Sequence, residues 1–329
     1  MRLCRGLLAT ARPLPSDVWQ FGAGRPRVAV LEGVHGNEIT GVEVVKALVE
    51  DFTHKGLGIR EGQLTVAIGN PLAVAQNTRY IEEDLNRCFD GKSLETSELE
   101  KKRAAALSPY LEGLDVLLDL HATNKPSTPF ARLPGPIEGR RQRFQVAEDL
   151  FLSSLPTSCQ TVLWDPHELI AGGSMTDEFA LRHAPDGWDG WDGSYGSYIC
   201  LESGQASDRS SVDAIYLAVL QCLRKLQMLG PLGFEGRPGP GDKKPRAWRH
   251  FEIMEKFSLD HRGFEWTNGH GEYNFQVVPA GHVYGRKGQV ELRAPEGKES
   301  YMVFPKVRNL WAEGRPLGWL ARKLEPEEL

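Results

Sequence analysis

Residues 33–41 are Gly-Val-His-Gly-Asn-Glu-Ile-Thr-Gly, and they come just after a short apolar run at 27–31. That run is rich in β-branched residues and is bounded by a proline and a glycine, which predicts a buried strand of a parallel sheet. The apolar spacing over residues 42–49 predicts a helix on the other side. His35 therefore lies at the carboxyl end of a strand and Glu38 near the first turn of a helix. Open α/β sheets bind their ligands at this edge.

An imidazole and a carboxylate three residues apart can form half of a metal site. The alternative is a histidine of an ordinary loop followed by an acid that the helix dipole favours in the first turn. A second strand-like run, residues 114–120, ends directly in His121. Catalytic zinc commonly takes three protein ligands, and two histidines with one glutamate are a standard set. The sequence therefore predicts a metal site of His35, Glu38 and His121. Asp119 can accept a hydrogen bond from His121, or it has a capping or surface role.

A third strand-like run, residues 197–201, is followed directly by Glu202. A buried carboxylate at this edge of the sheet can act as the general base and general acid that zinc-dependent hydrolysis needs. The other interpretation is an ordinary acid at the end of a strand.

The polar stretch at 72–88 contains Arg79, Asn86 and Arg87. A guanidinium group offers a planar fork of donors that matches a carboxylate, so this stretch suits the binding of an acidic group. Alternatively, the two arginines pair on a solvated surface with the acids at 82–84.

The segment at 170–196 is rich in glycine, tryptophan and aspartate. Trp188 and Trp191 can wall off a pocket if this segment is an ordered loop near an active site. The alternative is a surface excursion without a role in binding.

The composition excludes several classes of partner. The chain has 329 residues, of which 40% are hydrophobic and 25% charged, with a formal net charge of -5. This acidic balance favours neither nucleic acid nor an anionic membrane surface, and no apolar run is long enough to span a bilayer. Five cysteines without Cys-x-x-Cys spacing argue against a disulfide framework and against a thiolate zinc site. We therefore expect a cytoplasmic protein.

A composition break divides the chain. Residues 233–247 are rich in glycine and proline, which is typical of a linker. Residues 1–232 are predicted to form an α/β catalytic domain, and residues 248–329 a small β domain with short strands between glycines and prolines.

Several segments, in this order, resemble the aspartoacylase and succinylglutamate desuccinylase family, which shares the zinc carboxypeptidase fold. The segments that carry the resemblance are Gly33 to Gly41, Asn70-Pro71, Asn77 to Ile81, Asp84 to Arg87, Asp119 to His121, Leu201-Glu202, Phe275 to Gly281 and Val303 to Pro305. The resemblance implies a mixed, mostly parallel sheet flanked by helices, with a small carboxy-terminal β domain.

The resemblance also implies roles for individual residues. One zinc ion per chain would be held by the predicted metal ligands, and Glu202 would be the catalytic acid and base. Arg79 would polarise the scissile carbonyl, while Asn86 and Arg87 would bind the α-carboxylate of a small N-acyl amino acid. The implied activity is zinc-dependent removal of the acyl group from that substrate.

The chain departs from the family in its substrate contacts. Aspartoacylases hold the aspartyl group with an arginine and a tyrosine shortly before the catalytic glutamate, whereas this chain has tryptophans and aspartates at 188–192. Where a tyrosine is expected after residues 303–305, the nearest candidate is Trp311. We therefore expect a substrate less acidic than N-acetylaspartate. A zinc carboxypeptidase-like peptidase and a non-catalytic metal-binding regulatory module remain alternatives, and a homo-oligomer is compatible with the sequence.

Overall fold

The computed structural model describes residues 15, 17–89, 98–135, 143–166, 168–185, 196–206, 208–230 and 247–328. Its strands are β1 (Val18–Ala23), β2 (Arg27–Glu32), β3 (Gly62–Ile68), β4 (Val116–Thr123), β5 (Phe130–Pro134), β6 (Thr161–Asp165), β7 (Ser197–Gln205), β8 (Arg249–Ser258), β9 (Glu265–Trp266), β10 (Gln276–Val278), β11 (Val283–Lys287), β12 (Val290–Arg293), β13 (Ser300–Val303) and β14 (Pro316–Lys323). Its helices are α1 (Ile39–Thr53), α2 (Pro71–Gln76), α3 (Leu99–Leu111), α4 (Phe144–Leu150), α5 (Thr176–Arg182) and α6 (Val212–Lys225).

Within the described residues, eleven strands form one sheet in the order β1-β3-β2-β4-β7-β5-β6-β8-β14-β13-β10. The strands β3, β2, β4 and β7 are parallel neighbours, and β1 pairs antiparallel with β3. Strand β5 is antiparallel to β7 and parallel to β6. The arrangement confirms the predicted α/β fold with a mixed, mostly parallel sheet flanked by helices.

Helices cover both faces of the central strands, which explains their continuous apolar sequences. All eight residues of β4 are buried. On one face, Leu118 packs in a core that contains apolar residues of α1 and α6. On the other face, Leu117 packs with residues of α3 and α5. Each such leucine contributes roughly 1.5 to 3 kcal/mol by leaving water, so packing on both faces stabilises the parallel centre of the sheet.

The carboxy-terminal strands continue the large sheet, because β8 pairs in parallel with β6. Beyond β8, the strands β14, β13 and β10 are antiparallel, and β9, β11 and β12 form a separate three-stranded sheet. The indole Nε1 of Trp319 on β14 donates to the carbonyl of Leu169 at 3.0 Å. The predicted linker lies almost entirely outside the described residues, so the division at 232 and 248 stays a prediction.

Among the helices of the described segments, none combines the length and apolarity needed to cross a membrane.

Candidate active site

His35, Glu38 and His121 meet at the carboxyl ends of β2 and β4. One donor atom of each lies within 4.8 Å of the other two, and all three residues are buried. His35 is in the turn after β2, and Glu38 is the residue that precedes α1. Strand β4 continues to Thr123, so His121 lies inside the strand and not directly after it as the sequence predicted. The structure therefore brings the three predicted ligands together.

The Nδ1 atoms of both histidines face the Glu38 carboxylate. His121 Nδ1 is hydrogen-bonded to Glu38 Oε2 at 3.0 Å. His35 Nδ1 lies 2.9 Å from Glu38 Oε1, but it makes no hydrogen bond within the described structure. A buried nitrogen without a hydrogen bond, beside a second imidazole and a carboxylate, is the arrangement that a bound divalent metal ion would satisfy. The donor set therefore fits a metal.

A carboxylate contacts the outer nitrogen of each histidine. His35 Nε2 is 2.9 Å from Asp84 Oδ1, and His121 Nε2 is 3.2 Å from Asp119 Oδ2. Such contacts fix the tautomer and the orientation of ligating imidazoles. Burial alone would raise the pKa of Asp84, but His35 and Arg79 outweigh it and hold that pKa well below its usual range.

Thr176, the first residue of α5, contacts both Asp119 and Asn86, the two residues next to Nε2 of His121. Its hydroxyl donates to Asp119 Oδ2, and its backbone N–H donates to Asn86 Oδ1 at 3.3 Å. Asn86 Nδ2 in turn lies 3.4 Å from His121 Nε2. The start of α5 therefore positions both groups that contact the outer nitrogen of this histidine.

Gly36 allows the turn of His35 to approach α2 closely. A Cβ atom at this position would lie 2.0 Å from the backbone carbon of Ala73 and 2.2 Å from its oxygen. Any side chain would therefore push His35 away from Glu38, which explains a glycine between them.

Glu202 lines the same cavity as His35, Glu38 and His121, the candidate metal ligands. It is 8% exposed, and its Oε2 has no hydrogen-bond partner among the described residues. Strand β7 continues to Gln205, so Glu202 lies inside the strand, as His121 does in β4. Burial, together with the nearby charge of Glu38, raises the pKa of Glu202 to about 7. A carboxyl group with this pKa can both accept and donate a proton near neutral pH.

Arg79 points into the site. Its Nη1 lies 3.3 Å from Glu38 Oε1 and its Nη2 lies 3.2 Å from Asp84 Oδ2. Arg79 does pair with Asp84, one of the acids that the alternative named, but the pair lies in the site beside Glu38 and not on a solvated surface.

The candidate metal ligands, Glu202 and Arg79 line one cavity, and Asn86 and Arg87 line it too. Asn86 is buried and holds its contacts to His121 and Thr176, whereas Arg87 Nη1 donates only to the carbonyl of Asn86, at 2.8 Å. Burial lowers the pKa of Arg87, and Arg79 adds to this effect while Asp84 opposes it. Arg87 makes no salt bridge within the described part of the chain, so its remaining donors are available to a ligand.

Sequence reasoning missed Lys306. This residue follows directly after residues 303–305 and lines the cavity together with Glu202. The sequence feature that could have identified Lys306 is its position next to a segment that carries the family resemblance. Trp311, the residue considered instead, packs against Phe264 with ring centroids 5.3 Å apart and does not line the cavity. Trp188 and Trp191 lie outside the described residues.

Comparison with known proteins identifies a related catalytic domain. Residues 24–162 match the model of the "Succinylglutamate desuccinylase/Aspartoacylase catalytic domain". This part of the chain is similar to the catalytic domain of that family. The match covers the segments that contribute His35, Glu38 and His121, and it ends before Glu202.

Relatives in this family carry several related names. An "N-acyl-aromatic-L-amino acid amidohydrolase (carboxylate-forming) B" of Danio rerio is 37% identical over 107 residues, which are 29% of this chain and 34% of that protein. A "Probable aspartoacylase" of Nostoc is 40% identical over 105 residues, 30% of this chain and 35% of that protein. The chain thus spans about a third of the length of these relatives. A succinylglutamate desuccinylase of Shewanella is 26% identical over 292 residues, covering 84% of this chain and 77% of the relative.

Solved structures of the family share the fold. The succinylglutamate desuccinylase of Vibrio cholerae has a TM-score of 0.69 at 21% identity, with 93% of this chain and 85% of that chain covered. Murine aminoacylase 3 has a TM-score of 0.60 at 18% identity, with 91% and 95% covered.

Proposed function

We propose that the chain is a zinc-dependent amidohydrolase that removes the acyl group from an N-acyl amino acid. The observation that carries the proposal is a buried His-Glu-His group with Glu202 beside it, whose Oε2 has no hydrogen-bond partner among the described residues. The names of the relatives, which describe hydrolases of acyl amino acids, support the same reaction class. A zinc ion bound by His35, Glu38 and His121 would act as a Lewis acid and would make a water molecule more acidic.

Glu202 serves as the proton carrier of the reaction. It accepts a proton from the water whose oxygen attacks the acyl carbon. When the carbon–nitrogen bond breaks, the same carboxyl group donates that proton to the leaving amine, and the products are a carboxylate and a free amino acid. A pKa of about 7 suits both steps, because the group must exist in both protonation states during each turnover.

Arg79 stabilises the negative charge that develops on the carbonyl oxygen. Its guanidinium group already lies at the edge of the metal-binding group, 3.3 Å from Glu38 Oε1. A preorganised donor in a buried site stabilises such charge more than water does. Arg87, which lines the cavity and makes no salt bridge among the described residues, binds the α-carboxylate of the amino acid, and Asn86 orients it.

A panel assay tests this function. Zinc-loaded protein is incubated with N-acetyl and N-succinyl amino acids and, separately, with peptides that carry a free carboxy terminus, and the released amine is measured. Turnover of the small N-acyl amino acids supports the proposal. Turnover of peptides alone would support a carboxypeptidase-like enzyme, and zinc binding without turnover would support a regulatory module. The panel also tests the expectation that the substrate is not N-acetylaspartate.

A further inference from the structure

Glu100, in the first turn of α3, is a buried carboxylate that does not line the cavity of the candidate active site. Its Oε1 accepts from the backbone N–H of Ile81 at 2.7 Å, and its Oε2 accepts from the N–H groups of Glu82 and Glu83, each at 3.2 Å. Asn70 Nδ2 donates to Oε1 at 3.0 Å. Successive backbone N–H groups that converge in this way form an anion-binding concavity. Here the chain itself supplies the anion.

The helix that carries Glu100 is fixed to the sheet. Arg103, one turn further along α3, donates from Nε to the carbonyl of Gly69 and from Nη2 to that of Ile68, both at 2.7 Å. Ile68 is the last residue of β3. Apolar residues of α3 also pack in the same core as residues of β4. The Glu100 carboxylate therefore has a fixed position relative to the carboxyl ends of the central strands.

Glu82 makes the contact between the segment and the helix reciprocal. Its Oε2 accepts from the backbone N–H of Leu99, the first residue of α3, at 2.7 Å. This N–H has no partner within the helix, and a negative charge at a helix N-terminus is favourable. The helix and the segment thus each supply a carboxylate to backbone N–H groups of the other, which fixes their relative position.

The segment that Glu100 holds carries groups of the candidate site on both sides. Arg79 precedes residues 81–83, and Asp84 follows them directly. The carbonyl of Arg79 accepts from the N–H of Gly36, in the turn of His35, at 3.3 Å. Asp84 contacts Nε2 of His35, as described above. A shift of residues 81–83 would therefore move both side chains relative to the candidate metal ligands.

We propose that Glu100 is a positioning residue of the candidate active site, which acts on Arg79 and Asp84 through the backbone N–H groups of residues 81–83. The part of the inference that concerns Arg79 rests on the proposed function, whereas the part that concerns Asp84 and metal binding does not require turnover. Glutamine at position 100 would keep the shape of the side chain but lose its charge, and it would bring an NH₂ group toward N–H donors. Buried donors left without an acceptor are costly, so the segment shifts.

Metal affinity tests the inference without depending on turnover. The zinc affinities of wild-type protein, Glu100→Gln, Asp84→Asn and the double variant are measured by competition with a chelator. We expect Glu100→Gln to weaken zinc binding by up to about 10-fold, the lower end of the range for losing a direct partner of a ligating histidine, because Asp84 itself remains. Since Glu100 acts through Asp84, the loss should be clearly smaller in the Asp84→Asn background.

Steady-state kinetics at equal zinc content test the part that concerns Arg79. With the best panel substrate, Glu100→Gln should lower kcat about 10- to 100-fold, as expected for misplacement of a catalytic group by a change remote from the reacting atoms. In the Arg79→Lys background the further loss should be much smaller, because residues that act as a unit have non-additive effects. A purely structural role of Glu100 would give the same loss in both backgrounds.

Hydrogen exchange of the zinc-free protein tests the contact itself. The peptide that contains residues 81–83 should exchange faster in Glu100→Gln than in wild-type protein. Glu112→Gln is the matched control, since it makes the same chemical change at an exposed glutamate at the other end of α3 and should alter none of these measurements. Thermal unfolding shows whether each variant is folded. Glu100→Asp, which keeps the charge on a shorter side chain, takes the place of Glu100→Gln if that variant does not fold.

Two results would overturn the inference: zinc affinity, kcat and exchange at residues 81–83 are unchanged in Glu100→Gln, or the losses multiply fully in both double variants. Failure of the proposed function gives a different result. In that case the wild-type protein turns over no N-acyl amino acid, while Glu100→Gln still weakens zinc binding in a way that depends on Asp84.

Discussion

His121 on β4 and Glu202 on β7 are register partners on adjacent parallel strands. Because both strands are buried at this level, the backbone hydrogen bonds of the sheet set the spacing between His121, a candidate metal ligand, and Glu202, the proposed proton carrier. Sites on such rigid elements hold their geometry better than sites on loops. The contribution of the fold to the proposed chemistry is therefore a fixed distance between these two strands.

Thr176→Val tests how His121 is positioned. The valine has nearly the same shape but cannot donate to Asp119, so the orientation of His121 should be held less firmly. We expect the affinity for zinc to fall by up to about 10-fold, the lower end of the range for losing a direct partner of a ligating histidine, because Asp119 itself remains. Competition with a chelator measures the affinity. Thr176→Ser keeps the hydroxyl and should restore most of it, and equal affinities in all three proteins would refute the positioning role.

Arg79→Lys tests the stabilisation of the carbonyl oxygen. Lysine keeps the charge but loses the planar fork that contacts Glu38 and Asp84. The kcat should fall about 100- to 1,000-fold, the range for loss of one donor to a developing oxyanion, with a smaller change in KM. Steady-state kinetics at equal zinc content give both values. A variant with raised KM and unchanged kcat would instead assign Arg79 to substrate binding.

His250 on β8 links stability to pH. It is 5% exposed, its Nδ1 accepts a hydrogen bond from Trp164 Nε1 at 3.2 Å, and the Phe144 ring packs against it. Burial lowers its pKa from 6.5 to about 4. Between pH 6.5 and pH 4 the unfolded chain binds a proton at His250 that the folded chain does not. The stabilisation that comes from a neutral, buried His250 is therefore complete above pH 6.5 and is lost as the pH falls toward 4.

The measurement is urea unfolding of wild-type protein and His250→Gln at pH 7 and pH 4.5. Between these pH values the wild type should lose about 2 to 3 kcal/mol more unfolding free energy than the variant, because only the wild type carries this titrating imidazole. Parallel losses in the two proteins would show that His250 does not have the lowered pKa.

The local sequence pattern was sufficient to predict the central strands and to select the three candidate metal ligands. Strands β2, β4 and β7 are almost wholly buried, and each contains a run of mostly apolar residues that stands out in the sequence. The predicted ends of β4 and β7 were a few residues too early, so His121 and Glu202 lie inside their strands. Pairing between neighbouring strands, not local sequence, decides where a strand ends.

Lys306 could not be found in this way. It enters the cavity because β13 and β14 join the far side of the large sheet, and its aromatic support comes from Trp319, a residue remote in sequence. Asp84 was named only as part of a segment that carries the family resemblance and as a possible surface partner of the arginines, since nothing local indicates that it contacts His35. Contacts made across long sequence separations are the part of the site that a single sequence does not encode in its pattern.

The most direct test of the central claim is the zinc content of purified protein, measured together with turnover of the best panel substrate. Wild-type protein should hold one zinc ion per chain and be active. Glu202→Gln should keep the zinc and lose turnover, because the carboxamide cannot carry the proton, whereas His121→Ala should lose both. His54→Ala, a change of an exposed histidine at the end of α1, should lose neither. Full turnover in Glu202→Gln, or full zinc content in His121→Ala, would contradict the account.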